Sequence, residues 1–489
     1  MEHERELEES KQSPSPGESE RESSLSALAV EAFHQALDRG LLLVPSWQPL
    51  RATIVNFSLL PVPVPRAWME RAQRVSQQLF AVLRRCQANR ELVASTMQSM
   101  GQDPFMAKLE QLRSAPAAAA ARGEQRIRLD FVRNDFMLDR GREGAAPPPG
   151  GNLALVEMNT MSAALVSHVA AVSLIQRALF GRFPGSFPSR LREEEGQGDW
   201  LLQPGIAERQ VKCFAVAVEE YCRLYGRTKQ QAGVLIVANP LERNSLDIYR
   251  LEELLWTNHG LRSRRASFQD IAQRARLREA PAGSKSKFKA LELDGGWEGA
   301  LVYFRHGYIE EHYQGPADWE ARRLIEHSSA VKVPTLDWQC VGFKRFQMEL
   351  GRPHVQKALG VESWEAAAVL EPMYDFAEPE SPLTAASLRA LEEGEGEGDS
   401  RGFVLKSMRE GGGGNFYGDQ ILPKIAELRA ERGLATFVLQ RRFFPEPHPL
   451  LVLANDGTAQ TRSVLDEIGF YHCRVEVTRR DAHEGAEPE

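Results

Sequence analysis

A glycine run flanked by charged side chains is the stretch of this 489-residue sequence that points most directly to chemistry. In FVLKSMREGGGGNFYGD (403–419), an apolar segment leads to Lys406, and Arg409 and Glu410 precede four consecutive glycines. Because glycines lack a Cβ, consecutive backbone N–H groups can approach one anion closely. The run has neither the ending of a Walker A loop nor the spacing of a dinucleotide fingerprint. A flexible linker is the alternative, but the flanking charges and Tyr417 favour a phosphate-binding loop in which Glu410 holds a metal ion.

Two hard oxygen donors lie two residues apart in LALVEMN (153–159). Successive side chains of a strand leave opposite faces, so Glu157 and Asn159 leave the same face. A carboxylate and an amide oxygen aimed at one point suit Mg²⁺, which fills its remaining positions with water or phosphate. Such a pair on a strand is usually only a solvated face. With Glu410 as a third ligand, the pair predicts a magnesium site beside the phosphate loop.

Three further apolar segments carry polar side chains that could bind a small acid. They are Arg133 with Asp135 in FVRNDFM, Glu242, Arg243 and Asn244 in NPLERNS, and Arg305, Gly307 and Tyr308 in VYFRHGY. Arginine forks recognise carboxylates bidentately, so Arg133 and Arg305 are the predicted anchors. The alternative for each arginine is an ordinary ion pair.

Patterns for covalent catalysis are missing from the sequence. His168, His306 and His472 are interpreted as structural or solvated, because their spacing supports no metal site. No serine or cysteine lies in a nucleophile-elbow context such as G-x-S-x-G. The residues favour electrostatic chemistry on a nucleoside triphosphate, in which metal ions and basic side chains neutralise the transferred charge.

Strands and helices that alternate along the chain must position these segments. Short apolar runs predict strands at 126–132, 153–159, 233–239, 300–307, 403–408 and 436–443. Helical periodicity starts at Leu25 with Ser24 as N-cap, and further helices are predicted at 67–92, 245–259, 319–327 and 419–432. The alternation predicts an α/β fold of α+β layers.

Low-complexity segments interrupt this pattern. Residues 1–24 are predicted to be a disordered acidic tail, because they contain little that could be buried. SAPAAAAARG (114–123), REGAAPPPGG (142–151), REEEGQGD (192–199) and LEEGEGEGDS (391–400) are predicted to be surface loops.

Composition excludes several classes of protein. Hydrophobic residues make up 42% of the chain and charged residues 26%, as is usual for a globular protein. The net charge of −7 argues against a protein that coats nucleic acid or a lipid surface. Five dispersed cysteines signal neither a zinc site nor a disulfide framework, and no apolar run is long enough to span a membrane. We therefore expect a cytoplasmic protein.

Together these motifs resemble the eukaryotic glutathione synthetase family of ATP-grasp ligases, from about Leu28 to about Val477. KSMREGGGGNFYG is similar to the glycine-rich ATP loop of the family, and VEMNTMSAA is similar to its metal-binding strand. FVRNDFM, LERN, YFRHGY, WEAR (319–322) and GFKRFQ (342–347) match in the same order. The resemblance implies an ATP-grasp fold with an inserted substrate-binding domain and a lid. The expected division of the chain is 1–24 as tail, 25–228 as the first part of the core, 229–341 as the substrate-binding α/β domain, 342–477 as core and lid, and 478–489 as a charged tail.

The resemblance also implies roles for individual residues. Magnesium, expected as two ions, is assigned to Glu157, Asn159 and Glu410. ATP is assigned to Glu157, Lys344, Lys406, Ser407, Met408, Arg409, Glu410, Gly411, Gly412, Gly413, Gly414, Asn415, Tyr417, Glu467 and an adenine-binding strand formed by Gln440, Arg441, Arg442 and Phe443. The dipeptide is assigned to Arg133, Met161, Ser162, Ala163, Ala164, Glu242, Arg243, Asn244, Arg305, His306, Gly307 and Tyr308. Arg133, Lys406 and Arg409 are the expected catalytic residues.

The implied reaction joins γ-glutamylcysteine to glycine through an acyl phosphate, at the expense of ATP, in a homodimeric enzyme. The sequence departs from the family at Ala164, Ile248, His306, Gly414 and Arg441. After Arg474 it continues as a charged segment, where the family has a basic segment and a Gly/Ala-rich loop over glycine and ATP. Two alternatives therefore stand beside glutathione synthesis: a related ligase that adds a different small amino acid, and a catalytically lapsed nucleotide-binding homologue.

Overall fold

The computed structural model describes residues 16–44, 51–141, 152–189, 205–279, 289–371, 373–376, 389, 391, 402–408, 414–431 and 433–478. Within these ranges the chain combines helices with several separate sheets, so the predicted mixed α/β class is confirmed. None of the described helices combines the length and the apolar character needed to cross a membrane.

The helices lie mainly before, between and behind the strands. They are α1 (Pro16–Asp38), α2 (Arg66–Ala88), α3 (Arg90–Ser99), α4 (Pro104–Ser114), α5 (Pro116–Glu124), α6 (Val166–Arg182), α7 (Ile206–Tyr225), α8 (Ser245–His259), α9 (Phe268–Arg274), α10 (Pro316–His327), α11 (Leu336–Val341), α12 (Lys344–Leu350), α13 (Pro353–Leu359), α14 (Glu365–Val369) and α15 (Ile421–Ala430).

The strands are mostly short. They are β1 (Leu42–Leu43), β2 (Thr53–Ile54), β3 (Phe57–Ser58), β4 (Ile127–Leu138), β5 (Leu153–Asn159), β6 (Ala232–Val237), β7 (Ser263–Ala266), β8 (Arg276–Glu279), β9 (Lys289–Leu293), β10 (Trp297–Phe304), β11 (Val331–Val333), β12 (Met373–Asp375), β13 (Phe403–Ser407), β14 (Asn415–Tyr417), β15 (Phe437–Arg441), β16 (His448–Leu453), β17 (Ala459–Val464) and β18 (Ile468–Val477).

A sheet with a parallel centre divides the two largest cores. Its strand order is β7-β6-β10-β9-β8, and β11 also pairs with β10. Along β6, Leu235 and Val237 pack into one core, whereas Val234 and Ile236 pack into the other. Both faces are therefore covered, which is why β6 is a continuous apolar run. The carboxyl ends of β6 and β10 lead into the predicted dipeptide segments, in keeping with the position of ligand sites in parallel sheets.

In the antiparallel sheet β18-β4-β5, one end of β4 packs in a core and the other end carries polar residues of the candidate site. Leu129 and Phe131 of β4 face a core shared with α7, and Arg133 and Asp135 continue the same face by strand alternation. The opposite face places Val132 and Phe136 in the core that contains α2, and Asn134 between them donates to the Ser76 hydroxyl of α2 at 2.9 Å. The apolar residues of β4 thus fix the strand in the core, and the same strand carries the polar residues Arg133 and Asp135.

The glycine-rich segment joins two strands of a third sheet, of order β12-β15-β13-β14. β13 and β14 pair antiparallel, with Lys406 opposite Asn415. Arg441 on β15 ties this sheet to β4: Nη2 lies 2.9 Å from Asp139, and the same guanidinium forms two 2.7 Å contacts with Glu371.

Three sequence predictions about helices are wrong. Helix α1 begins at Pro16, so residues 16–24 belong to a helix and Ser24 is not its N-cap; a proline at the first position and early glutamates favour this start. The segment 114–123 is not a loop, because its alanines form α5 after Pro116. The helix predicted at 67–92 is interrupted at Asn89, whose extended backbone and side chain cap α3 by accepting from Leu92 N at 3.1 Å.

The other predicted loops, 142–151, 192–199 and 391–400, lie almost wholly outside the described residues. The predicted strands all appear, with ends shifted by a few residues. The predicted division into domains remains a prediction.

Trp338 provides a test of the packing between α11 and β4. Its side chain is fully buried, and Nε1 donates to the carbonyl of Phe131 at 2.8 Å. We expect Trp338→Phe to lower the free energy of unfolding by about 2 kcal/mol, because it leaves that buried carbonyl unpaired. Trp256→Phe, at a side chain that is 58% exposed, should leave the urea midpoint unchanged. Equal midpoints for the two variants would contradict this packing.

Candidate functional site

Three oxygen-bearing side chains meet where β4 and β5 pair. Asp135 lies opposite Glu157 in the antiparallel register, and Asn159 lies opposite Arg133. Nδ2 of Asn159 donates to Asp135 Oδ2 at 2.8 Å and to Glu157 Oε1 at 3.0 Å. The predicted pair Glu157 and Asn159 is therefore brought together, and Asp135 joins it.

Two buried lysines face this acidic set from other elements. Lys344, the first residue of α12, places Nζ 3.6 Å from Glu157 Oε2. Lys406 on β13 donates to the main-chain carbonyl of Val156 at 3.4 Å. Only 8% of Lys344 and 6% of Lys406 is exposed. Lys344 of α12 and Lys406 of the phosphate-loop sheet thus approach β5 from two different elements.

Burial shifts the protonation of these groups. Burial and repulsion from Lys344 lower the pKa of Lys406 to about 8, although the attraction of Glu157 and Glu467 opposes this shift. Burial and the charges of Asp135 and Glu157 raise the pKa of Glu467 to about 7. Burial also disfavours ionisation of Glu157, but Lys344 and the amide of Asn159 outweigh it and the pKa lies below its ordinary value. The site is poised for ligands that supply negative charge to the lysines.

The oxygen donors fit a hard divalent cation. Among the described residues no three His, Cys, Asp or Glu side chains are arranged to hold a metal ion by themselves. Mg²⁺ needs only one or two carboxylates when phosphates complete its shell. Glu157 and the amide oxygen of Asn159 can supply that partial set. Glu410, the third predicted ligand, lies outside the described residues.

Arg133 forms an ion pair within its own strand. Nε lies 2.7 Å from Asp135 Oδ1, and Nη2 lies 2.8 Å from Oδ2. Gly469 of β18 lies opposite Asp135 and makes room for this pair, since a Cβ there would meet Asp135 Oδ1 at 2.8 Å and Arg133 Cδ at 2.9 Å. The ordinary ion pair considered as the alternative for Arg133 is thus present.

The remaining predicted nucleotide contacts surround the hairpin and β15. On the hairpin, Ser407 ends β13 and is followed by the buried Met408, and Gly414 precedes Asn415 and Tyr417 of β14. Gln440 and Arg441 end β15, and Arg442 and Phe443 follow them. Glu467 precedes β18. Arg409, Gly411, Gly412 and Gly413 lie outside the described residues, as does Glu410. Strand β15 has a partner on each side at Gln440, and Arg442 N donates to Gly402 O at 2.8 Å. Pairing of this backbone with adenine stays a prediction.

The carboxylate of Asp247 forms hydrogen bonds to residues in or next to two of the predicted dipeptide segments. Oδ2 accepts from Arg305 Nη1 at 2.8 Å and from Leu165 N at 3.0 Å, and Oδ1 accepts from Ser167 N at 2.9 Å. Ser162 and Leu165 have positive φ angles of 51° and 72°, which are costly for residues with a Cβ. The carboxylate therefore holds a strained turn between β5 and α6 against the end of β10.

The other predicted dipeptide residues lie on the segments that Asp247 joins. Met161, Ser162, Ala163 and Ala164 lie between β5 and α6, Glu242, Arg243 and Asn244 lie before α8, and Arg305, His306, Gly307 and Tyr308 follow β10. The carbonyl of Ala164 accepts from the Tyr471 hydroxyl at 2.7 Å. The Arg305 side chain is almost wholly buried in its ion pair, so its direct contact with a substrate carboxylate stays a prediction.

The three histidines lie outside the acidic set. His472 pairs with the Ser76 hydroxyl at 2.7 Å and stacks on Phe80, and burial lowers its pKa to about 4. His306 stacks on His312 with ring centroids 3.8 Å apart. Burial lowers the pKa of His168.

Sequence reasoning named Asp135 only beside Arg133 and did not assign it to the metal site, and it did not assign Asp247 to any site. Asp135 could have been found, because it lies two residues from Arg133 on one strand face and a neighbouring strand carries Glu157 and Asn159. Asp247 follows the E-R-N segment inside α8, where an acidic residue in the first turn usually only complements the helix dipole. Its partners come from distant segments, so no local pattern marks it.

The sequence is similar to glutathione synthetases from several eukaryotes. The family model described as "Eukaryotic glutathione synthase, ATP binding domain" matches residues 22–485. The glutathione synthetase of Macaca fascicularis is 30% identical over 467 residues, 92% of this chain and 89% of that protein. The Homo sapiens protein is 30% identical over 462 residues, 91% and 88% of the two chains. A solved glutathione synthetase-like effector from Globodera pallida shares the fold, with a TM-score of 0.61, 15% identity, and coverage of 93% of this chain and 89% of that one.

Gly469→Ala tests the space beside the Arg133–Asp135 pair. The added methyl group should displace both side chains and lower the free energy of unfolding by about 2 kcal/mol, as expected for overpacking. Dipeptide binding, measured by calorimetry, should weaken as well. Gly181→Ala, where a Cβ meets nothing within 4 Å, is the matched control; it should leave dipeptide binding unchanged and should not destabilise the fold, because alanine favours the helix. Wild-type stability and binding in Gly469→Ala would contradict the close approach.

Lys406 predicts a proton linkage to nucleotide binding. At pH 8.5 the free protein holds Lys406 largely neutral, because its pKa is about 8. The negative charge of bound Mg–ADP favours the ammonium, so binding should take up protons, and affinity should fall as pH rises above 8. Calorimetry in buffers of different ionisation enthalpy measures this uptake. Lys406→Arg should abolish it, since arginine stays charged, whereas Lys424→Arg on α15, where the side chain pairs with Glu427, should not. Equal uptake in all three proteins would refute the assignment.

Proposed function

The chain belongs to the eukaryotic glutathione synthase family, and on that premise we propose how its residues carry out ATP-dependent ligation of γ-glutamylcysteine to glycine. The cysteinyl carboxylate attacks the γ-phosphate of ATP, which yields an acyl phosphate and ADP. The glycine amine then attacks the acyl carbon, forms the amide bond and releases phosphate. Neither step needs a protein nucleophile, in agreement with the sequence.

The observation that carries this proposal is that the charges of Lys344 and Lys406 both act on Glu157, which also accepts a hydrogen bond from Asn159. The negative charge of phosphates bound beside these residues would be neutralised by the two ammonium groups. Glu157 and Asn159 would hold Mg²⁺, which supplies Lewis-acid stabilisation of the transferred phosphoryl group when bound. Because the lysines are buried, their charges act with little screening by water.

The metal and nucleotide assignments rest on this geometry and on the resemblance. We assign Mg²⁺ to Glu157, Asn159 and Glu410, with two ions expected. The loop from Arg409 to Asn415 would cover the phosphates as the turn of the β13–β14 hairpin, and Arg409 would add positive charge.

The dipeptide assignment follows the segments that Asp247 holds together. Arg133, Ser162, Glu242, Asn244 and Tyr308 would contact γ-glutamylcysteine, with Arg305 beside them. The same resemblance supports a homodimer, and the dispersed cysteines support a cytoplasmic location.

A coupled assay of ADP release tests the proposed reaction. Purified protein should release ADP only when γ-glutamylcysteine, glycine and Mg-ATP are all present, and a chelator of Mg²⁺ should stop turnover. Glu157→Gln should lower kcat by at least about a hundredfold, the size of a lost transition-state contact. Glu91→Gln, on the exposed start of α3, is the matched control.

Other outcomes would identify the alternatives. Turnover with alanine or serine but not with glycine would indicate a related ligase. Tight ATP binding without ADP release, whichever acceptor amino acid is supplied, would indicate a lapsed homologue and refute the proposed activity.

A further inference from the structure

The W-E-A-R segment of α10 ends in a fully buried arginine that the proposed reaction leaves without a role. Arg322 has no exposed surface, and its guanidinium carbon lies 4.2 Å from the centre of the Phe304 ring. Nε donates to Glu326 Oε1 at 2.9 Å, which balances the charge. A buried charge is costly to maintain, so its remaining donors merit a functional explanation.

The other two nitrogens of Arg322 bind side chains that both point at one carbonyl. Nη1 donates to the Tyr313 hydroxyl at 3.2 Å, and Nη2 donates to Gln339 Oε1 at 2.7 Å. The Tyr313 hydroxyl in turn donates to Gly307 O at 3.1 Å, and Gln339 Nε2 donates to the same oxygen at 3.3 Å. Gly307 lies within the predicted dipeptide segment that follows β10.

The chemistry of the guanidinium fixes the direction of these hydrogen bonds. Arginine has donors and no acceptor, so the Tyr313 oxygen must accept from it, and the hydroxyl proton is left to point elsewhere. The Gln339 amide must likewise turn its oxygen to Arg322 and its nitrogen to Gly307. Arg322 thereby orients two donors toward a single acceptor.

Gly307 needs this support because its backbone is unusual. Its φ is +98°, and a Cβ at this position would lie 2.8 Å from Phe268 and 2.9 Å from the Tyr313 hydroxyl. Its N–H donates to His312 Nδ1 at 3.0 Å. Both polar groups of Gly307 are therefore held by side chains, whereas Asp247 binds Arg305 two residues earlier.

We propose that Arg322 is a positioning residue for γ-glutamylcysteine, acting through Tyr313 and Gln339 to set the conformation of residues 305–308. This role rests on the proposed function, since it concerns the same substrate segment. Arg322 itself touches no reacting atom. It should govern dipeptide affinity while leaving the nucleotide site, built on other strands, unchanged.

Tyr313→Phe is the most selective variant, because it removes the hydroxyl of the relay and keeps the ring. We expect the KM for γ-glutamylcysteine to rise about tenfold, as for the loss of one or two hydrogen bonds, with the KM for ATP unchanged. Arg322→Met should raise the dipeptide KM further. Arg322→Lys should restore part of the loss, because lysine is also a pure donor.

Arg323→Met is the matched control, since Arg323 is the next residue of α10 and its 44% exposed side chain pairs with Glu320. It should leave both KM values unchanged. An unchanged dipeptide KM in Tyr313→Phe, or an equal rise in both KM values, would overturn the proposal. If Arg322→Met fails to fold, Tyr313→Phe and Arg322→Lys still decide it.

Hydrogen exchange separates this proposal from the proposed function. Amides of residues 305–308 should exchange faster in Tyr313→Phe than in the wild type or Arg323→Met, whether or not the protein turns over. A wild type without ADP release would refute the ligase activity, and the exchange rates would still test the positioning role. Unchanged exchange in Tyr313→Phe would refute it.

Discussion

Two ammonium groups withdrawn from water are the constraint on which the architecture depends. A buried charge costs several kcal/mol unless partners compensate for it, and Lys406 finds its partners on β5, in a different sheet from its own. Lys344 reaches Glu157 from a helix start. The sheets must therefore keep a fixed spacing, which Arg441 helps to set through Asp139 and Glu371. The packing that forms the cores therefore also fixes the positions of these charged groups.

Backbone strain occurs in two of the predicted dipeptide segments and is offset by buried polar groups. The turn after β5 has two residues with positive φ, and the segment after β10 has Gly307. Asp247 holds the first turn, and the Arg322 network holds the second segment. Such strain persists only where neighbouring groups over-determine the conformation. The dipeptide segments are thus pre-formed by residues that lie behind them.

The sequence predicted local order well and distant pairing poorly. The β5 strand, with Glu157 and Asn159 on one face, was predictable because strand alternation is a local property. Helix α8 was predictable for the same reason, since its periodicity is self-contained. The starts of α1 and α5 were missed because glutamate, proline and alanine were interpreted by composition and not as helix-start signals. Asp247 was not predictable, because Leu165 and Arg305 lie 82 and 58 residues away from it. The Arg322 relay spans shorter separations, 9 residues to Tyr313 and 17 to Gln339, but its members belong to different elements that only the fold brings together.

Arg441 shows how one ion-paired side chain constrains the residues around it. Its guanidinium is shared by Asp139 and Glu371, and Asp139 also accepts from Phe444 N at 2.8 Å. An acidic residue at position 441 would bring three carboxylates together beside β15, and their mutual repulsion would destabilise the fold. A substitution at any one of the three positions is therefore expected to need a compensating change at another.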